Sequence, residues 1–302
     1  MELIGKTDID FMGKRNISFL ISAIVSIIGI IGIIQIARGA ANMGIDFSGG
    51  TSVQLKFAQA VPPEKAREAL AKHHLKEANI QEITEGNKLL VKVGKMSLPQ
   101  GNAAEVIQDA FRKELPGNQF VVESSTEIGP AVGDKLRKDT LVAVAISLVG
   151  IVLYIAWRFD FAFGVGALAA TMHDVLAIFA VFFVLNKEVN LLLITAALTI
   201  AGYSITDTVV VFDRIRENLH KDAKGALSTI FNRSINEVLS RTIITSLTTF
   251  LASAALFFFG GEVIHDFALA LLVGVAVGTY SSIFVASPIV VVWGDRVKTS
   301  KA

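Results

Sequence analysis

The sequence predicts a polytopic α-helical membrane protein with six transmembrane helices and one ferredoxin-like α+β domain, set in the periplasm between spans 1 and 2. Three observations predict it. Of the 302 residues 52% are hydrophobic and only 18% charged, against about 25% charged in soluble domains. Six segregated apolar runs are long enough to cross a bilayer, which takes about 20 residues per helix. The single long polar insertion, about 100 residues and so the size of one small domain, carries strand and helix periodicities in the order β-α-β-β-α-β.

The first run, Ile17–Ile36, is led in by Lys14 and Arg15. A secretory signal h-region is normally about 7–15 residues. This longer run reads as a retained anchor, although the small residues of Ala37-Arg38-Gly39-Ala40 follow it. Five more runs succeed it: Thr140–Trp157, Phe161–Leu185, Leu191–Phe212, Thr242–Phe259 and Phe267–Val292. Backbone amides in hydrocarbon must pair internally, so runs of this length become helices. The expected divisions are a cytoplasmic N-terminus (1–16), span 1 (17–36), the periplasmic domain (37–138), spans 2 to 6 (139–292) and a cytoplasmic C-terminus (293–302). Within 213–241 a cytoplasmic segment turns near Lys224-Gly225, then resumes as an amphipathic interfacial helix over Ala226–Leu239.

Orientation follows from Lys and Arg in the short loops. Lys6, Lys14, Arg15, Arg158, Arg214, Arg216, Lys221, Lys224, Arg233, Arg241, Arg296, Lys298 and Lys301 fall on one side, and only Lys187 on the other. Both termini are therefore expected in the cytoplasm.

In the insertion, Thr51–Phe57 alternates with a strand period, and Pro62-Pro63-Glu64 opens a helix through Leu75. Ile80–Thr84 and Lys88–Val93 read as strands joined at Glu85-Gly86-Asn87. Ala103–Leu115 is a second amphipathic helix, and Phe120–Ser124 a last strand. RNA-recognition modules share this order but stack bases on aromatics of the central strands. The central strands here offer one, Phe57, and no nucleic-acid partner is expected.

Other function classes are excluded by absence. Without cysteine there are no disulfides, thiolate sites or cysteine nucleophiles. No phosphate-binding Gly-x-x-x-x-Gly-Lys-Ser/Thr loop and no His-Glu-x-x-His spacing occurs, so neither a nucleotide motor nor a metal centre is expected. A net charge of +1 points to no polyanionic partner.

The informative residues are ionisable groups inside apolar runs, where each costs about 2.5–3.5 kcal/mol on insertion scales and by default marks an ion or proton route. Asp207 lies within the fourth run, with Thr195, Thr199 and Tyr203 preceding it at four-residue steps, Thr206 beside it and Gly202 inviting close helix approach. Burial favours the neutral form of such an acid and a nearby cation the ionised form, which suits reversible protonation. The competing reading is a structural carboxyl that never titrates. Arg241 opens the fifth run, with Thr245 and Thr248 continuing its face. It either snorkels to the interface or pairs with Asp207, in which case proton arrival would release the pair and move helices. His173 and Asp174 sit together in the third run, near Thr171 and with no nucleophile nearby. They join the proton-pathway candidates, with a relay and a helix–helix hydrogen bond both open. Asp213, Arg214, Arg216 and Glu217 read as a charge cluster with i, i+3 and i, i+4 pairs.

Four motifs in chain order resemble the SecD/SecF family of the resistance-nodulation-division superfamily, in its SecF branch. They are Gly44-Ile45-Asp46-Phe47-Ser48-Gly49-Gly50, then Ile128-Gly129-Pro130-Ala131-Val132-Gly133, then Gly202–Asn218 around Asp207, and finally Ser240-Arg241-Thr242 with Gly260-Gly261 and Gly278-Thr279-Tyr280-Ser281-Ser282. The resemblance covers the whole chain. It implies a multi-pass protein of the bacterial cytoplasmic (inner) membrane that pairs with SecD, associates with the SecYEG translocon and with YajC, and sits in membrane lipid. It further implies that proton flow helps draw exported, unfolded polypeptide outward after the ATP-driven stage, with a mobile periplasmic domain meeting the emerging chain. Protons would be the coupling ion and no other cofactor is implied; the role is transport, not catalysis. Proton-pathway roles for Asp207 and Arg241 come with the resemblance, as do structural roles for Gly44, Asp46, Gly49 and Gly50. Thr206 departs from the family's usual asparagine, which alters hydrogen bonding next to the acid. The alternatives are a stand-alone half-transporter of lipids or small molecules, and a passive scaffold whose charges only hold helices together.

Overall fold

A computed structural model describes residues 5, 7–83, 86–94, 103–222 and 225–299, with the side chains of Glu262 and of residues 295–299 excepted. Lys6, Lys224 and Lys301 of the orientation argument, and Thr84 and Glu85 of the expected hairpin, lie outside the described residues. The chain forms two units, Met1–Asn42 with Ala143–Ala302, and Met43–Val142.

Within the smaller unit, a short helix α2 (Ile45–Ser48) leads through Gly49 into β1 (Gly50–Phe57). Then follow α3 (Pro63–Lys72), β2 (Asn79–Ile83), β3 (Lys88–Gly94), α4 (Ala103–Glu114) and β4 (Phe120–Ile128). The sheet order is β2-β3-β1-β4 with every neighbour antiparallel, which is the ferredoxin-like arrangement. Alternate residues of the central strands, Val53, Leu55 and Phe57 with Leu89, Val91 and Val93, are buried against Leu70 of α3 and Ile107 and Phe111 of α4. Phe57 is thus core, its ring 5.4 Å from those of Phe111 and Phe120, and offers no stacking platform. Helix α3 stops at Lys72 rather than Leu75 because His74 takes a left-handed φ of +66°. β4 runs four residues beyond Ser124, with a register shift opposite Gln54/Leu55.

Two helices of this unit are tied by Lys72 Nζ and Glu114 Oε2, 2.6 Å apart. That hydrogen bond holds Glu114 below the usual glutamate range. A carboxylate so depressed contributes stability at higher pH, lost as pH falls below about 4.3 and through the lowered value. Glu114→Gln is therefore expected to flatten the acid limb of the domain's stability, measured as hydrogen exchange of α4 amides against pH.

Among the described residues six helices are long and apolar enough to cross a membrane, five within the larger unit and one, Pro130–Arg158, beginning in the smaller one. They are α1 (Arg15–Ala37), α5 (Pro130–Arg158), α6 (Phe161–Val184), α7 (Leu191–Lys221), α8 (Leu227–Phe259) and a last span of α9 (Glu262–Ser281), a π-helical turn (Ser282–Ala286) and α10 (Ser287–Thr299). α6, α7 and the last span form the centre, each half buried over its apolar stretch, whereas only 6% of that stretch in α5 is buried. α1 lies so close to α6 that a Cβ on Gly29 would come within 2.2 Å of the Leu176 carbonyl oxygen. Such backbone approach is how helices pack where lipid offers no hydrophobic drive.

Two expectations are corrected. α8 is one continuous helix that begins 14 residues before Arg241, so Ala226–Leu239 is no separate interfacial helix. α7 likewise continues through Asp213–Lys221. Both extensions are polar on one face, yet neither holds Gly or Pro. Their polar groups pair with each other: Asn218 Nδ2 donates to Ser234 Oγ (2.9 Å) and Glu237 Oε2 (2.7 Å), and Arg214 Nε donates to the same Glu237 oxygen (2.6 Å).

A strap before α1 docks on this extension of α8. Asn232 Oδ1 accepts from the amides of Phe11 (3.0 Å) and Met12 (2.9 Å), and Asn232 Nδ2 donates to Asp10 Oδ1. Asn236 binds the amide and carbonyl of Ile9. Phe11 and Met12 are buried beneath. Asn232→Ala strands two amides, at about 1–3 kcal/mol each when they stay buried. Hydrogen exchange of Phe11 and Met12 is expected to rise by one to several orders of magnitude, with α6 unchanged.

Candidate functional site

Asp207 is buried on α7, and its Oδ2 has no hydrogen-bond partner among the described residues. Arg241 of the adjoining α8 is the cation whose charge acts on it, but the two make no ion pair within 4.0 Å among the described residues. Arg241 itself is exposed midway along α8, directly before the apolar stretch that begins at Thr242. Thr208 and Thr242, the neighbours of the acid and the base, also bury hydroxyls with no partner among the described residues. Among the described residues, then, Asp207 keeps one carboxyl oxygen without a partner, and the Arg241 charge acts on it from outside ion-pair distance.

The supporting stripe divides. Tyr203 reaches across, its hydroxyl 3.4 Å from Ser246 Oγ of α8, which in turn meets Thr279 Oγ1 of α9 at 2.6 Å. Thr199, Thr206 and Thr245 are exposed and donate to carbonyls four residues back on their own helices. Gly202 does not mediate close packing: a Cβ there would meet nothing within 4 Å. The glycine at the central crossing is Gly278, whose Cβ position lies 3.4 Å from Ser204 Cβ and 3.7 Å from Asp174 Oδ2.

Asp174 is fully buried in α6. Its Oδ2 accepts from Ser204 of α7 and from Ser281 of α9 (2.7 Å), while Oδ1 faces His173 Nδ1 at 3.1 Å. Ser204 and Ser281 stand inside the Gly202–Asn218 and Gly278–Ser282 motifs, yet nothing in their local pattern marks them as partners of Asp174. The His173 ring lies 6.0 Å from that of Tyr280, whose hydroxyl donates to the Ser18 carbonyl (3.0 Å) and lies 3.1 Å from Ser22 Oγ.

At the Asp213 end of α7, Arg158 Nη2 holds both oxygens of Asp213 (2.5 and 2.6 Å), and Arg214 bridges Glu217 and Glu237. Arg216 takes part through its carbonyl, 2.7 Å from His220 Nδ1. In the smaller unit, Gly44 caps α2, which carries Asp46 in its first turn. Gly49 (φ +68°) and Gly50 (φ +138°) then turn the chain into β1. The Gly133 Cβ position sits 3.1 Å from the Gly49 nitrogen, which brings the second motif against the first.

The chain as a whole is similar to known proteins. Residues 107–296 match the family described as protein export membrane protein SecD/SecF, C-terminal. The chain belongs to the SecD/SecF family. Residues 41–61 match the SecD/SecF GG motif, the segment that contains the Gly49-Gly50 turn. A protein translocase subunit SecF from Thermodesulfovibrio yellowstonii is 52% identical over 298 residues, covering 98% of each chain. Another from Calditerrivibrio nitroreducens is 40% identical over 294 residues, covering 96% of each. The crystal structure of SecDF, a translocon-associated membrane protein from Thermus thermophilus, superposes with a TM-score of 0.83 at 37% identity and covers 96% of this chain. This chain spans 39% of that SecDF chain. As a SecD/SecF member with six such helices, the protein is a multi-pass inner-membrane protein.

Proposed function

We propose that the chain is a SecF subunit that, paired with SecD at the SecYEG translocon and with YajC as a further partner, uses the proton motive force to promote late-stage export of unfolded polypeptide. Protons are the coupling ion, and no other cofactor takes part. The observation that carries the reading is Asp207: a buried acid with an unfilled oxygen, in the span that holds the family's most specific motif, with the Arg241 charge acting from the next helix. Moving one charge through the membrane field yields about 2.3 kcal/mol per 100 mV, enough to bias helix positions that differ by a few kcal/mol. The translocase names of relatives matched along their whole length support the same role. Both termini are assigned to the cytoplasm, which puts the ferredoxin-like domain on the side where the exported chain emerges.

Affinity isolation in mild detergent tests the assignment. SecD and the SecYEG channel are expected to come with the chain. Recovery as a homo-oligomer free of both would favour a stand-alone half-transporter instead.

A further inference from the structure

The Asp174 carboxyl lies where three helices meet. Hydroxyls of Ser204 and Ser281 converge on Oδ2, and His173 Nδ1 faces Oδ1. A carboxylate is acceptor-only, so it is satisfied as the anion when both hydroxyls and an Nδ1–H donate to it. The anion thus calls for the Nδ1–H tautomer of His173, which leaves Nε2 as an open lone pair. Nε2 is buried and has no partner among the described residues.

The charged and titratable groups around the pair are few. α1 has none from Asn16 to Ala37, α7 brings Tyr203 and, three residues past Ser204, Asp207, and the last span brings Tyr280. Among the described residues no Lys or Arg comes within 4.0 Å of Asp174. An ionised Asp174 beside a neutral His173 is therefore an isolated anion in the bundle, and such burial is strongly unfavourable until the charge is balanced.

We propose that His173 and Asp174 form a second proton-binding unit, separate from Asp207, which takes up one exchangeable proton at His173 Nε2. The proton adds to the open lone pair, and the product is an imidazolium–carboxylate pair of zero net charge. No existing hydrogen bond breaks, so Ser204 and Ser281 keep α7 and the last span docked on α6. The unit decides between the two readings of this pair: it is a helix staple that also stores a proton. It goes beyond the export assignment and does not depend on Asp207.

The chain has five histidines, which suits nitrogen NMR of the histidine-labelled full chain in lipid nanodiscs. The signal absent from His173→Gln is expected to show an Nδ1–H ring with bare Nε2 at the alkaline end. It should gain a second N–H as the pH is lowered. The same transition is expected in Asp207→Asn. A His173 ring that keeps one protonation state throughout, or carries its proton on Nε2 at every pH, overturns the proposal. Loss of the transition in Asp207→Asn would make the two acids one coupled site and overturn it too, while leaving proton-driven export standing. Conversely, normal proton-driven export by Asp207→Asn with the His173 transition intact would sink the role of Asp207 alone.

Discussion

Asp207→Asn is expected to insert and assemble normally and to lose the part of export that depends on the proton motive force. The substitution is nearly isosteric, and no hydrogen bond to Oδ2 is lost because none is made among the described residues. The new amide hydrogens would be poorly satisfied, at about 1–3 kcal/mol, a penalty a packed bundle tolerates. What disappears is the ability to carry a proton. A charge that crosses 100 mV shifts an equilibrium by about 2.3 kcal/mol, roughly 50-fold. Stimulation of export by an imposed gradient in vesicles should accordingly fall at least about tenfold, with yield and co-purifying subunits unchanged. Undiminished stimulation in a correctly inserted variant would remove the case for a proton site. A passive scaffold predicts the opposite pattern, with lost stability and intact stimulation.

Gly50→Ala should have the second large effect, on the small domain rather than on proton handling. Gly50 has φ +138°, and a Cβ there would lie 2.3 Å from the Val93 carbonyl oxygen across the β1–β3 pair. Backbone carbonyls in a ladder cannot step aside as a side-chain tip can. Strain at a positive φ and overpacking each amount to about 1–3 kcal/mol, so a loss of about 2–5 kcal/mol is expected. Hydrogen exchange of β1 and β3 amides in the full chain should accelerate accordingly. Gly94→Ala, where a Cβ meets nothing within 4 Å, serves as the matched control. Equal protection in the two variants would contradict the close approach.

Much of this was legible because its causes are local. Apolar runs, turn chemistry at Gly86-Asn87 and the prolines before α3 act within a few residues, and they gave six spans and a ferredoxin-like order. Asp207 stood out because an acid in an apolar run is itself anomalous. The reach of α7 and α8 was not legible, since Asn218, Ser234 and Glu237 look like loop residues until one sees that they satisfy each other. The same holds for the strap on Asn232 and Asn236, bonds between residues more than 200 positions apart that leave no local pattern. Ser204 and Ser281 are ordinary serines in sequence; only the crossing of three helices makes them ligands of Asp174. Gly202 misled for the converse reason, as a small residue marks a close contact only when a helix arrives opposite it.

The sparse packing of α5 has a mechanical consequence. Its Arg158 end is fastened by Asp213 and by Ile155 and Phe159 in the core, while the rest of its apolar stretch meets little protein. Within this chain, then, little beyond the Arg158 end sets the lean of α5, and that freedom is left to whatever packs on its open face and to the thickness of the hydrocarbon around it.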